Sequence, residues 1–144
     1  MYNEKKFQVE FGRNNLIDGF FELKISKGKS IRFDAVKEHQ REALLAVSSS
    51  KGLYHKITDN PVSWGMDTKM RFTKSKPFDC FRVSKQDAYV VVMFYTPYQR
   101  KNVYYVRIRD WLEAEAKMMY EKKSITEEEL KLRACVVENY LKKV

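Results

Sequence analysis

The 144-residue chain carries 28 Lys and Arg against 19 Asp and Glu, a formal net charge of +9, with 44% hydrophobic and 14% aromatic residues. This is enough apolar material for one core in a single domain, so the composition excludes a disordered tail. The sequence has no run of about 18 apolar residues of the kind a membrane-spanning helix needs, and no apolar stretch follows Met1–Lys6 as in a signal peptide.

The chain therefore reads as intracellular. Cys80 and Cys135 lie far apart inside apolar runs, which fits buried free thiols better than a disulfide framework. With only two His and no close Cys/His spacing, a structural zinc site is not expected. The charge is unevenly placed: residues 1–109 hold 21 Lys/Arg and 11 Asp/Glu (net +10), and residues 110–144 hold 7 and 8 (net −1). A basic surface confined to the first part favours a polyanionic partner, most commonly nucleic acid, although a generally basic soluble protein has the same total.

In chain order, Asn3 can cap a helix running to about Gly12, with Phe7 and Phe11 one turn apart on its inner face and Glu10 beside them. Phe20–Ser26 reads as a strand that sends Phe21, Leu23 and Ile25 to one face and Phe20, Glu22 and Lys24 to the other. Apolar neighbours on both faces indicate a covered strand, where a carboxylate and an ammonium side by side need partners or a task. A lone Glu-x-Lys is also a common surface pair. Lys27–Ser30 forms a basic turn. Asp34 is the expected N-cap of the next helix, to about Val47, whose apolar stripe of Val36, Ala43, Leu44 and Val47 contains the polar Gln40. That amide either hydrogen-bonds something specific or reaches water at the rim of the stripe.

Leu53–Ile57 reads as a short strand, followed to about Lys76 by an irregular segment with Trp64, Lys69, Arg71, Lys74 and Lys76. Its charges could track a phosphate backbone, while Trp64 is better read as an anchor on its own domain. Phe78–Val83 and Ala88–Tyr95 are expected to pair as a hairpin about Gln86-Asp87, and Val103–Ile108 to pair with the second of them. Two helices, Asp110–Lys122 and a second from Thr126 with Glu127–Glu129 in its first turn, are expected to close the chain. The expected fold is α/β, with α+β as the alternative: a central mixed sheet flanked by helices, residues 1–109 as the core and 110–144 as a helical extension packed on it.

Hydrolysis of a phosphodiester with a divalent metal needs carboxylates and a nearby cation. Glu22 and Asp79 could hold Mg²⁺, with the backbone carbonyl of Leu23 completing the shell and Lys24 beside the attacking water. Nothing resembles a Ser/His/Asp triad or a Gly-rich phosphate loop.

Phe21-Glu22-Leu23-Lys24, then Lys37-Glu38-His39-Gln40 on a following helix, then Pro77-Phe78-Asp79-Cys80-Phe81 and Ala88–Val92, resemble the small Holliday junction resolvase-like proteins of phages and bacteria. These belong to the PD-(D/E)XK nuclease superfamily, and the resemblance covers residues 5–110. It implies a restriction-endonuclease-like core with rearranged strand order, and cleavage of branched DNA by a homodimer using Mg²⁺ or Mn²⁺, with no small-molecule cofactor and no membrane partner. By position, Glu22 and Asp79 would be metal ligands, Lys24 the catalytic lysine, Gln40 the supporting glutamine and Glu10 the acidic residue of the first helix. Lys27, Lys29, Lys37, Lys69, Arg71, Lys74 and Lys76 would meet the DNA backbone. One departure is that Asp79 follows the Glu-x-Lys, whereas the acid usually precedes it; Asp18 is the alternative ligand. The competing readings are a nuclease of the same fold acting on flaps, a restriction target or RNA, a non-catalytic nucleic-acid-binding module, and a basic scaffold whose acidic tail binds protein.

Overall fold

A computed structural model describes residues 1–58, 78–99 and 101–140. Chain order gives α1 (Glu4–Asn14), β1 (Phe20–Ser26), β2 (Ser30–Arg32), α2 (Glu38–Ser48), β3 (Leu53–Lys56), β4 (Cys80–Val83), β5 (Ala88–Phe94), β6 (Lys101–Arg107), α3 (Ile108–Met118), β7 (Ser124–Thr126), α4 (Glu127–Arg133) and β8 (Val136–Tyr140). The fold is mixed α/β, built on a four-stranded sheet in the order β1-β5-β6-β8. β1 runs parallel to β5, and β6 runs antiparallel to both β5 and β8. No helix among the described residues is long and apolar enough to cross a membrane.

The apolar run Ala88–Phe94 is buried at every position, as expected of a central strand covered on both faces. Its alternation divides the core into two layers. Val90, Val92 and Phe94 pack with Leu44 and Val47 of α2 and with Trp111 and Ala114 of α3. Tyr89, Val91 and Met93 pack with Phe7 and Phe11 of α1. β1 follows the same rule: Phe20 joins the α2/α3 layer, while Phe21, Leu23 and Ile25 join the α1 layer. Glu22 and Lys24 therefore project on the α2/α3 side. Phe20 N–H donates to Asp87 O at 2.9 Å at the start of β1. Gly19 precedes it with φ +153°, where an added Cβ would lie 2.9 Å from that carbonyl.

Asn3 caps α1 as expected, accepting from Lys6 N–H at 3.1 Å. Asp34 does not cap α2. It lies in a 3-10 turn, Phe33–Ala35, paired with Arg32, and α2 starts after Lys37. The turn buries both Phe33 and Val36. The strand at Cys80–Val83 does not pair with β5, whose two edges are already taken by β1 and β6; it pairs with β3 in a separate antiparallel ribbon. Both cysteines are free, but they are exposed rather than buried.

The largest correction is at the C-terminus. The expected helical hairpin is α3, a short α4 and then a strand. Ile125 at the centre of β7 pairs with Ile31 of β2, in the segment expected to leave a plain basic turn. β8 completes the central sheet against β6. Val136, Val137 and the open edge of β6, whose centre Val103–Val106 is buried, favour extended pairing over continuation of the helix. Of the anticipated helical stripe, Leu130 is buried but Val137 is exposed.

Candidate functional site

Glu22 and Lys24 stand one above the other on β1 because the strand period is two. Their side chains form an ion pair at 3.1 Å (Nζ to Oε1) and are 24% and 15% exposed, respectively. Gln40, in the first turn of α2, completes the group: its Nε2 donates to the same Glu22 Oε1 at 2.8 Å. The other end of the amide is also used, since Gln40 Oε1 accepts the Lys37 backbone N–H at 2.8 Å. This is half of a capping box, so one side chain both fixes the start of α2 and reaches the sheet. Of the two sequence readings of Gln40, specific bonding is the one realised. Glu22 Oε2 accepts no hydrogen bond among the described residues, so one oxygen of a firmly oriented carboxylate is left for a further partner. The first turn of α2 also brings the positive end of its dipole to Glu22.

Arg41, which the sequence did not single out, holds this turn in place. Its guanidinium donates to Val36 O at 3.0 Å and Phe33 O at 2.9 Å, and forms a two-pronged pair with Glu115 of α3. The clamp joins the segment ahead of α2 to the next helix. Its partner is 74 residues away, so no local pattern could announce it.

The remaining expected site residues are elsewhere. Glu10 lies on the opposite face of the sheet from Glu22, in the α1 layer, and does not join the group. Both its oxygens accept from Lys101 Nζ, at 3.1 and 2.9 Å, and Oε2 also accepts the Tyr2 hydroxyl at 2.5 Å. Burial, together with that hydrogen bond, pushes the Tyr2 phenol well above its ordinary value. Asp79 is exposed at the start of β4, and its backbone carbonyl accepts Ile57 N–H at 2.8 Å. It belongs to the β3–β4 ribbon and not to the sheet that carries Glu22. Asp18, the alternative, is also exposed. Among the described residues no three His, Cys, Asp or Glu side chains are grouped to hold a metal. Leu23, whose carbonyl was the third expected ligand, lies on β1, an edge strand of the sheet.

Lys27, Lys29 and Lys37 are all exposed, the first two in the turn after β1 and the third at the threshold of α2. Lys69, Arg71, Lys74 and Lys76, like Trp64, fall outside the described residues. In comparisons with known proteins, the chain matches no protein family, no curated protein and no solved structure. The local chemistry is a carboxylate held by an amide and an ammonium, with lysines close by. As a purely structural device it satisfies a half-buried charge pair; as a site it presents one pre-oriented carboxylate oxygen and one cation to a ligand.

Proposed function

We propose that this chain is a structure-selective DNA endonuclease, acting on four-way junctions as a homodimer, with Glu22, Lys24 and Gln40 at its hydrolytic centre. The single observation that carries the reading is the 2.8 Å bond from Gln40 to Glu22. It joins the helix glutamine to the Glu-x-Lys strand, the combination on which the resemblance to resolvase-like nucleases rests. Gln40 orients the carboxylate, and Lys24 supplies positive charge where charge rises on the phosphate as water attacks in line. Lys27, Lys29 and Lys37 attract the DNA backbone. A two-fold partner would pair the two incisions that a symmetric junction invites.

Mg²⁺ is commonly held by one or two carboxylates together with substrate phosphate, and it would supply charge neutralisation at the reacting phosphate. The residues fit this in part: Glu22 offers Oε2, whereas Asp79, the proposed second ligand, stands in the β3–β4 ribbon. That position of Asp79 favours a second reading, a nucleic-acid-binding module without metal chemistry. Cleavage of a synthetic four-way junction in Mg²⁺ or Mn²⁺ separates the two. The nuclease reading requires cutting by wild type and junction binding without cutting by Glu22→Gln and Lys24→Ala. Binding without cutting by wild type in both metals leaves the binding module.

A further inference from the structure

On the α1 face, away from Glu22, a groove of about 660 Å³ runs between the outer side of α1 and the loop that joins β5 to β6. This is within the range of roughly 300–1,000 Å³ typical of ligand sites. Lys5, Lys6 and Arg13 line it from the helix, and Tyr95 and Tyr98 line it from the strand end and the loop. The helical spacing puts Lys6 and Arg13 in line two turns apart, about 10.5 Å at about 1.5 Å per residue, with Lys5 about a quarter-turn to one side. Among the described residues Glu10 is the one acid lining the groove, and it is already neutralised by Lys101 and by the Tyr2 hydroxyl. The groove is thus cationic in effect.

Its aromatic wall is preformed. Tyr2 stacks on Tyr95 with centroids 4.8 Å apart and planes 12° from parallel, and Lys101 Nζ lies 4.2 Å from the centroid of the Tyr2 ring. Tyr98 is 86% exposed and has φ +65°. It occupies the third position of a turn closed by Gln99 N–H to Thr96 O at 3.2 Å, with Pro97 before it. Glycine is the residue that suits such a position, so a tyrosine there holds its ring outward against a backbone cost.

An exposed tyrosine ring beside surface cations matches the alternating bases and phosphates of an unpaired strand, in which every base offers a face for stacking. We propose that this groove binds single-stranded nucleic acid, the cations taking successive phosphates and Tyr98 stacking on a base. It forms a second site, separated by the sheet from Glu22, and it does not depend on any cleavage there.

The test is fluorescence anisotropy of a labelled oligothymidylate in EDTA across a salt series. Lys5→Ala/Lys6→Ala/Arg13→Ala, all on the helix surface, should flatten the dependence of log K on log salt by about 2, at ~0.7 for each phosphate no longer neutralised. Tyr98→Gly suits the backbone conformation of the turn and removes the ring. It should weaken binding by about tenfold. An abasic strand of equal length should compete poorly. The proposal is overturned if wild type does not bind the oligothymidylate, if both variants bind it as wild type does, or if the abasic strand competes equally. Cleavage is not read, so failure here leaves the Glu22 reading intact, and failure of junction cutting leaves this one intact.

Discussion

Replacing Gln40 by alanine removes two bonds at once. The acceptor for Lys37 N–H at the start of α2 is lost, a cap contribution of about 1 kcal/mol. The donor to Glu22 Oε1 is lost as well; bonds to charged groups contribute about 1.5–3 kcal/mol. Glu22 keeps Lys24 as a partner, and its side chain is 24% exposed, so water recovers part of the second loss. We expect a net destabilisation of about 1–2 kcal/mol, which for a domain near this size is a fall of about 3–7 °C in melting temperature. The decisive assay is a double-mutant cycle in urea with Glu22→Ala. The two changes should couple by about 1 kcal/mol, because each abolishes the same bond. Strict additivity would refute the argument, since Gln40 would then stabilise α2 alone and the geometry that carries the proposed function would be absent in solution.

Three further outcomes follow from the same geometry. Arg41→Met removes donors to Phe33 O and Val36 O and leaves Glu115 without its cation, so urea unfolding should show a loss of about 2 kcal/mol or more; a loss below about 0.5 kcal/mol, the usual range for surface changes, would contradict the clamp. Asp79→Ala should leave junction cutting undiminished, as Asp79 stands beside the β3–β4 ribbon and not on the sheet that carries Glu22; loss of cutting with junction binding retained would put Asp79 back in the metal set. The phenols of Tyr2, Tyr104, Tyr105 and Tyr140 are all raised, chiefly by burial. Below about pH 10 both folded and unfolded chains keep these protons, whereas above it the unfolded chain releases them first. Stability should therefore hold to about pH 10 and decline as the pH rises further, by at most about 1.4 kcal/mol per pH unit for each phenol; an unchanged urea midpoint through that window would contradict it.

Which parts of this molecule were legible in the sequence depended on how local the deciding interactions are. The all-apolar run at 88–94 specifies a central strand by itself, and the period of two on β1 specifies that Glu22 and Lys24 share a face. The Asn3 cap is equally local. Pairing partners were not local: Cys80–Val83 has the composition of a strand, but which edge remains open to it depends on β1 and β6, both distant in sequence. At Val136–Tyr140 a helical stripe and a strand alternation coexist in the same residues, and the open edge of β6 decides between them. For the site, the stripe on α2 put Gln40 on the face of Val36, Leu44 and Val47, but whether it turned in or reached water, and its bond to Glu22, were not readable. Glu10 was misplaced because spacing along α1 gives the face of the helix and not the side of the sheet on which the helix packs.

The most direct test of the central claim is cleavage of a synthetic four-way junction in Mg²⁺ by wild type and by Glu22→Gln, with junction binding measured alongside. The account predicts cutting by wild type, and by the variant retained binding with no cutting. Cutting by Glu22→Gln at the wild-type rate would contradict it.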